Sequence, residues 1–76
     1  MPGMADTLER KHLVQAERHI AEAKEHIARQ NQVIADLERD GHETDLAISM
    51  LHTLEHCLHT FEQHRAVILS RLKMLD

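Results

Sequence analysis

The sequence predicts an all-α protein in which two long helices pack antiparallel as a coiled-coil hairpin. Leucine and isoleucine recur at seven-residue intervals before residues 40–44, and a matching 3-4 spacing resumes after them. The turn region holds Gly41, whereas residues 4–39 and 45–76 contain no glycine or proline, the residues that interrupt helices. Four to five heptads on each side of a short turn are the sustained pattern that a coiled coil requires.

Each helix has recognisable end signals. Helix 1 is expected from about residue 6 to 40, with Asp6 as N-cap and residues 1–5 frayed. Gly41 suits the left-handed conformation that often follows a helix end. The turn then covers 41–44, with Thr44 as the N-cap of helix 2, which is expected over about 45–75. Residues 1–76 therefore form a single helical-hairpin domain.

The heptad assignment predicts which side chains face the other helix. Folding helix 2 back on helix 1 pairs residues whose numbers sum to about 81, such as Ile34 with Ala47. The expected core positions a and d of helix 1 are Leu13, Ala16, Ile20, Ala23, Ile27, Gln30, Ile34 and Leu37. Those of helix 2 are Thr44, Ala47, Leu51, Leu54, Leu58, Phe61, Arg65, Ile68, Leu72 and Leu75.

Composition argues against several classes of function. Nine basic and thirteen acidic residues give a net charge of −4 without a basic cluster, so we expect no nucleic-acid partner. No apolar run reaches the roughly 18 residues of a membrane span, and the start lacks the features of a signal peptide. With one cysteine and no catalytic motif, we expect a cytoplasmic protein that is not an enzyme.

A second set of apolar and small residues predicts self-association. On helix 2 it includes Leu46, Met50, Cys57, Val67 and Met74. On helix 1, Val14 is followed at seven-residue intervals by the small residues Ala21, Ala28 and Ala35. One interpretation is a solvated face that tolerates small residues. The other is a homodimer forming a four-helix bundle, which we favour because a two-helix chain of 76 residues buries little on its own. The expected interface residues are Met50, Cys57, Val67, Met74, Ala21 and Ala28.

Eight histidines make the chain histidine-rich and suggest a metal site. His52, His56 and His59 lie at i, i+4 and i+7 on helix 2, a spacing at which neighbouring imidazoles can share zinc, nickel or copper. The alternative is that exposed histidines are merely polar. Another row occupies position g, with His26 opposite Cys57 across the hairpin, and such rows should repel each other when acid charges them. No cofactor is expected apart from this divalent metal.

Several phrases of helix 1 resemble a known group of proteins. The segments ERHIAE (residues 17–22), HIARQ (26–30) and LERDGHET (37–44) resemble short uncharacterised proteins common in soil alphaproteobacteria. The resemblance covers roughly residues 15–45 and implies a helical hairpin and a bacterial source. It implies no activity and no functional residue, and members of that group tend to have Asp where this chain has Glu43.

The expected function is therefore that of a small cytoplasmic structural or protein-interaction module. It would present a helical face to a second copy of itself and to an as yet unidentified protein partner. The alternative is a histidine-rich protein that binds divalent metal.

Overall fold

The computed structural model describes residues 3–75, which form two helices and no strand. Helix α1 spans Met4–Arg39 and helix α2 spans Asp45–Leu75. The two pack against each other along their length, in a rod whose Cα atoms extend over 61 × 14 × 12 Å. The prediction of an all-α helical hairpin is confirmed.

Helix α1 begins earlier than predicted. Gly3 is the N-cap, and the Thr7 amide donates a hydrogen bond to the Gly3 carbonyl at 3.2 Å. The assignment of Asp6 as N-cap is therefore wrong. Asp6 lies in the first turn, where its carboxylate is favoured by the helix dipole and sits 3.2 Å from Arg10 Nε. Of the residues expected to fray, 4 and 5 are helical, 3 is the cap, and 1 and 2 lie outside the described residues.

The turn between the helices is a Schellman motif centred on Gly41. The His42 amide donates to the Leu37 carbonyl at 2.9 Å, and the Gly41 amide donates to the Glu38 carbonyl at 3.1 Å. These two bonds satisfy carbonyls that the end of α1 would otherwise leave free. Gly41 has φ +75°, the left-handed conformation expected there, which residues with a Cβ adopt only at a cost.

The core is the line of a and d positions that the heptads predict. Of the described residues, six are buried, and every one occupies such a position: Ala16, Ala23, Ile34, Ala47, Ile68 and Leu72. Most other a and d residues are half-buried. Leu75 is the exception, because it lies at the open end of the hairpin and is 49% exposed. The core is thus one narrow line of aliphatic side chains.

Two polar residues at core positions contact the opposite helix. Gln30 donates from Nε2 to the Ala47 carbonyl at 2.8 Å, across the two helices. Arg65 is half-buried, and its guanidinium lies 3.6 Å from the Glu17 carboxylate, so its aliphatic stem can cover the seam while its charge reaches solvent. Both residues therefore fit the core line through a polar contact with the opposite helix.

Candidate interaction surface

Two helices lying side by side give the hairpin two broad faces. Positions g and c of both helices line one of them, here called the g/c face, and positions e and b line the other, here called the e/b face. On the g/c face, Val33 and Met50 line one groove, and His26 and Cys57 line the next. On the e/b face, a groove is lined by Glu17, Ala21, Lys24 and Glu62 together with core residues.

The g/c face carries most of the exposed apolar surface. Among residues 3–75, ten large apolar side chains are exposed, and six of them occupy position g or c. Those six, with their exposed fractions, are Leu8 54%, Val33 45%, Leu46 76%, Met50 51%, Val67 47% and Met74 83%. The e/b face has two, Val14 and Leu69. Such an accumulation on one face is typical of a surface that another protein covers.

Charge is distributed in the opposite way. Within residues 3–75, eight charged residues occupy positions e and b: Arg10, Glu17, Lys24, Glu38, Asp45, Glu55, Glu62 and Lys73. Of the nine residues at g and c within α2, only Arg71 is charged at neutral pH. The corresponding positions of α1 are more polar, with three histidines, Glu22, Arg29 and Asp36. The α2 side of the g/c face is therefore both apolar and nearly free of charge.

The six predicted interface residues do not share one surface. Met50, Cys57, Val67 and Met74 lie on the g/c face, and all are exposed. Ala21 and Ala28 are also exposed, but they occupy position b on the e/b face, where Ala21 lies among charged side chains. A single face-to-face contact can cover the first four residues and cannot cover the two alanines as well.

Histidines at position g line the edge of the g/c face. The ring of His19 packs against Phe61, with ring centroids 5.1 Å apart and tilted by 35°. His26 lines the same groove as Cys57, whose thiol is free and exposed. His12 is half-buried, with Nδ1 3.8 Å from Glu9 Oε2. These imidazoles therefore adjoin the apolar surface without being enclosed by it.

Acidic residues close the open end of the seam, a feature that sequence reasoning missed. Asp6 and Glu9 occupy the a and d positions that precede Leu13 by one heptad, and both are half-buried. Glu9 lies between His12 and Arg71, with Arg71 Nη1 3.6 Å from its Oε1. Asp6 Oδ1 and Glu9 Oε2 are buried without a well-aligned hydrogen bond, although Arg10 lies near the first carboxylate and Arg71 near the second. Continuing the heptad backward from Leu13 would have found them.

The predicted metal-binding residues lie elsewhere. His52, His56 and His59 are exposed on positions b and f of α2, away from the g/c face. Within residues 3–75, no three His, Cys, Asp or Glu side chains are grouped so that they could hold one metal ion. Metal binding by these three histidines stays a prediction.

We also searched for membrane-spanning helices and for similar proteins. In the part of the chain that the structure describes, no helix is long and apolar enough to cross a bilayer. Comparison with known proteins finds no matching family model, no matching curated protein and no matching solved structure.

Proposed function

We propose that this protein is a small cytoplasmic interaction module that associates with itself through the g/c face. The observation that carries the proposal is the concentration of exposed large apolar side chains on that face, set against the charged e/b face. Association would remove those side chains from water, which is favourable by about 25 cal/mol per Å² of apolar surface.

The narrow core supports the same proposal. Among residues 3–75, Ile68 is the only larger side chain that is fully buried, and three of the six buried residues are alanines. Chains of about 75 residues with a single small core rarely gain more than ~3–5 kcal/mol from it. A second layer of buried residues, supplied by another copy, would turn the antiparallel coiled-coil hairpin into half of a four-helix bundle.

Sedimentation of the purified chain at micromolar concentration tests this proposal. We expect about twice the chain mass of 8.8 kDa. A folded, fully helical species with the mass of one chain would contradict self-association. An additional protein partner would compete for the same face, and its binding would then depend on the same side chains.

A matched pair of substitutions identifies the face. Val67 on the g/c face and Val14 on the e/b face are 47% and 59% exposed, so glutamate is tolerated at either position in the single hairpin. In a symmetric dimer, Val67→Glu buries two carboxylates, and an unsatisfied buried polar group costs about 1–3 kcal/mol. Dimer affinity should fall at least about 30-fold. Val14→Glu should leave it unchanged, and an equal loss in both variants would contradict the proposal.

Divalent-metal binding is a second candidate function, favoured by the exposure of His52 and His56 one helical turn apart. Because these residues lie off the g/c face, metal binding and self-association can be tested separately.

A further inference from the structure

We infer that the second copy stacks on the g/c face with its turn at the opposite end, so that the two α2 helices run antiparallel and cross near Thr60. This inference rests on the self-association proposed above and adds the orientation of the two copies. Its basis is the pattern of side chains along the exposed side of α2.

That exposed side is a second seam with the spacing of a coiled coil. Positions c and g of α2 alternate at intervals of four and three residues, in the order Leu46, Met50, Thr53, Cys57, Thr60, His64, Val67, Arg71 and Met74. All nine are exposed. At 100° per residue, this seam lies about 110° around the helix from the a/d seam that packs on α1. A helix at the corner of a four-helix bundle needs two seams at roughly this angle.

The second seam is self-complementary when it is read in reverse. Two-fold interfaces require this property, because the same patch serves on both copies. A crossing at Thr60 sets Leu46 beside Met74 of the second copy and Thr53 beside its Val67. Cys57 then lies beside His64 of that copy, and Met50 beside its Arg71, whose aliphatic stem can pack on the methionine while its charge reaches solvent. The small residues Cys57 and Thr60 then lie where the helices approach most closely, with His64 on the other side of the crossing. The larger Leu46, Met50 and Met74 lie toward the ends, where the helices diverge and leave more space to fill.

The same rotation also matches the α1 side of the face. Ion pairs between the helices show which residues of α1 and α2 lie at the same height along the hairpin axis. The residue numbers sum to 82 for Glu17 and Arg65, and to 80 for Glu9 and Arg71. Thr60 is therefore level with about residue 21 of α1. A two-fold axis at that height sets Leu8 beside Val33 of the second copy. It also sets Glu22 beside His19 of that copy, an arrangement that becomes an ion pair when the histidine is charged, and Arg29 beside its His12.

The opposite orientation fits poorly. If both turns lay at the same end, each α2 would pack on α1 of the second copy. Residues at the same height, whose numbers sum to about 81, would then face each other. Leu46 would then face Asp36, and the uncharged centre of the seam would face Glu22 and Arg29. Those contacts desolvate charges against apolar groups, which is unfavourable. Pairing α2 with α2 places the apolar seam on itself and keeps charged groups at the margin.

A second copy is also the right size for the face. The hairpin measures 61 by 14 Å between Cα atoms in its two long directions. That area is comparable to the ~800 Å² that each partner buries in a stable interface of standard size. Each chain carries a net charge of −4, so two copies can meet closely only where negative groups are sparse, as they are along the second seam.

Disulfide trapping tests the orientation. The variant Thr60→Cys, made in a Cys57→Ser background, places two thiols at the crossing, where they should form an intermolecular disulfide in oxidised glutathione. The control is Thr53→Cys in the same background. In the inferred register its two thiols are offset by 14 residues, about 21 Å along the helices, far beyond the ~7 Å Cα separation that a disulfide spans. The native Cys57, offset by about 9 Å, should be intermediate.

The outcomes separate the orientation from self-association itself. Crosslinking of Thr60→Cys at least about tenfold faster than Thr53→Cys supports the inferred register. If the reduced variants sediment as dimers and Thr53→Cys crosslinks as fast or faster, the orientation is wrong while self-association stands. If the reduced wild-type chain sediments as a monomer, the inference and the proposed function both fail.

Discussion

Truncation of Ile68 to alanine should be among the most damaging single changes to this hairpin. Ile68 is fully buried, and it packs with Ala16, Leu72 and Leu13 near the end of the hairpin opposite the turn. The substitution removes three carbons, worth ~0.8 kcal/mol each when buried, and leaves a cavity that adds a further cost. We expect a loss of about 3–4 kcal/mol, within the ~2–5 kcal/mol typical of such truncations.

The expected effect can be measured by thermal unfolding followed by circular dichroism. In a domain of this size, 1 kcal/mol corresponds to about 4–8 °C, so the midpoint of Ile68→Ala should fall by roughly 12–30 °C. The control is Leu69→Ala, which removes the same number of carbons from a neighbour that is 39% exposed on the e/b face. Its cost should be below about 1 kcal/mol. Protein concentration must be equal throughout, since association raises the midpoint.

The comparison between the two variants decides whether the helix packing is right. Ile68 and Leu69 point about 100° apart around α2. Equal losses in the two variants, or a larger loss in Leu69→Ala, would show that α2 is rotated from the orientation described and would refute the assignment of the core.

Three further predictions follow from the turn and the histidines. Gly41→Ala should lower the free energy of unfolding, measured by chemical denaturation, by about 1–2 kcal/mol. Because φ is +75° and no atom lies within 4 Å of an added Cβ, only backbone strain contributes. An unchanged denaturation midpoint would contradict the Schellman turn. Zinc added to metal-free protein should bind weakly through His52 and His56. His56→Ala should therefore abolish the heat of zinc binding in titration calorimetry without changing the mass found by sedimentation. Dimerisation that depends on zinc would contradict the separation of this histidine pair from the g/c face. Lowering the pH from 7.5 to 5.5, across the range in which histidine ordinarily becomes charged, should weaken the dimer in sedimentation. Four histidines lie on the g/c face, at residues 12, 19, 26 and 64, and in the inferred register only His19 lies beside a carboxylate of the second copy, that of Glu22. A stronger dimer at pH 5.5 would contradict this prediction.

Heptad spacing was sufficient to predict the core of this hairpin. Ile34, Ala47 and Ile68 are buried because position in the heptad decides which side chains face the other helix. Gly41 was equally predictable, since few residues other than glycine adopt positive φ after a helix end. The start of α1 was not predicted well, because a capping preference at Asp6 competed with good helix formers before it.

The candidate surface was predicted only in part. The apolar residues Met50 and Val67 were identified from α2 alone, and the alanine stripe containing Ala21 from α1 alone. The spacing within one helix shows which of its residues share a stripe. It does not show which stripe of the other helix lies on the same face of the packed pair. Once the two helices are placed together, Ala21 falls among charges on the opposite face and Val33 joins Met50 in a groove.

The reactivity of the native thiol tests the central claim most directly. Cys57 is exposed in the single hairpin and lies on the g/c face, so association through that face must cover it. Its rate of modification by a thiol reagent should fall as the concentration of the wild-type protein rises through the range of dimer formation. In the Val67→Glu variant the rate should stay constant over the same range. A wild-type protein that dimerises while the reactivity of Cys57 is unchanged would contradict association through the g/c face.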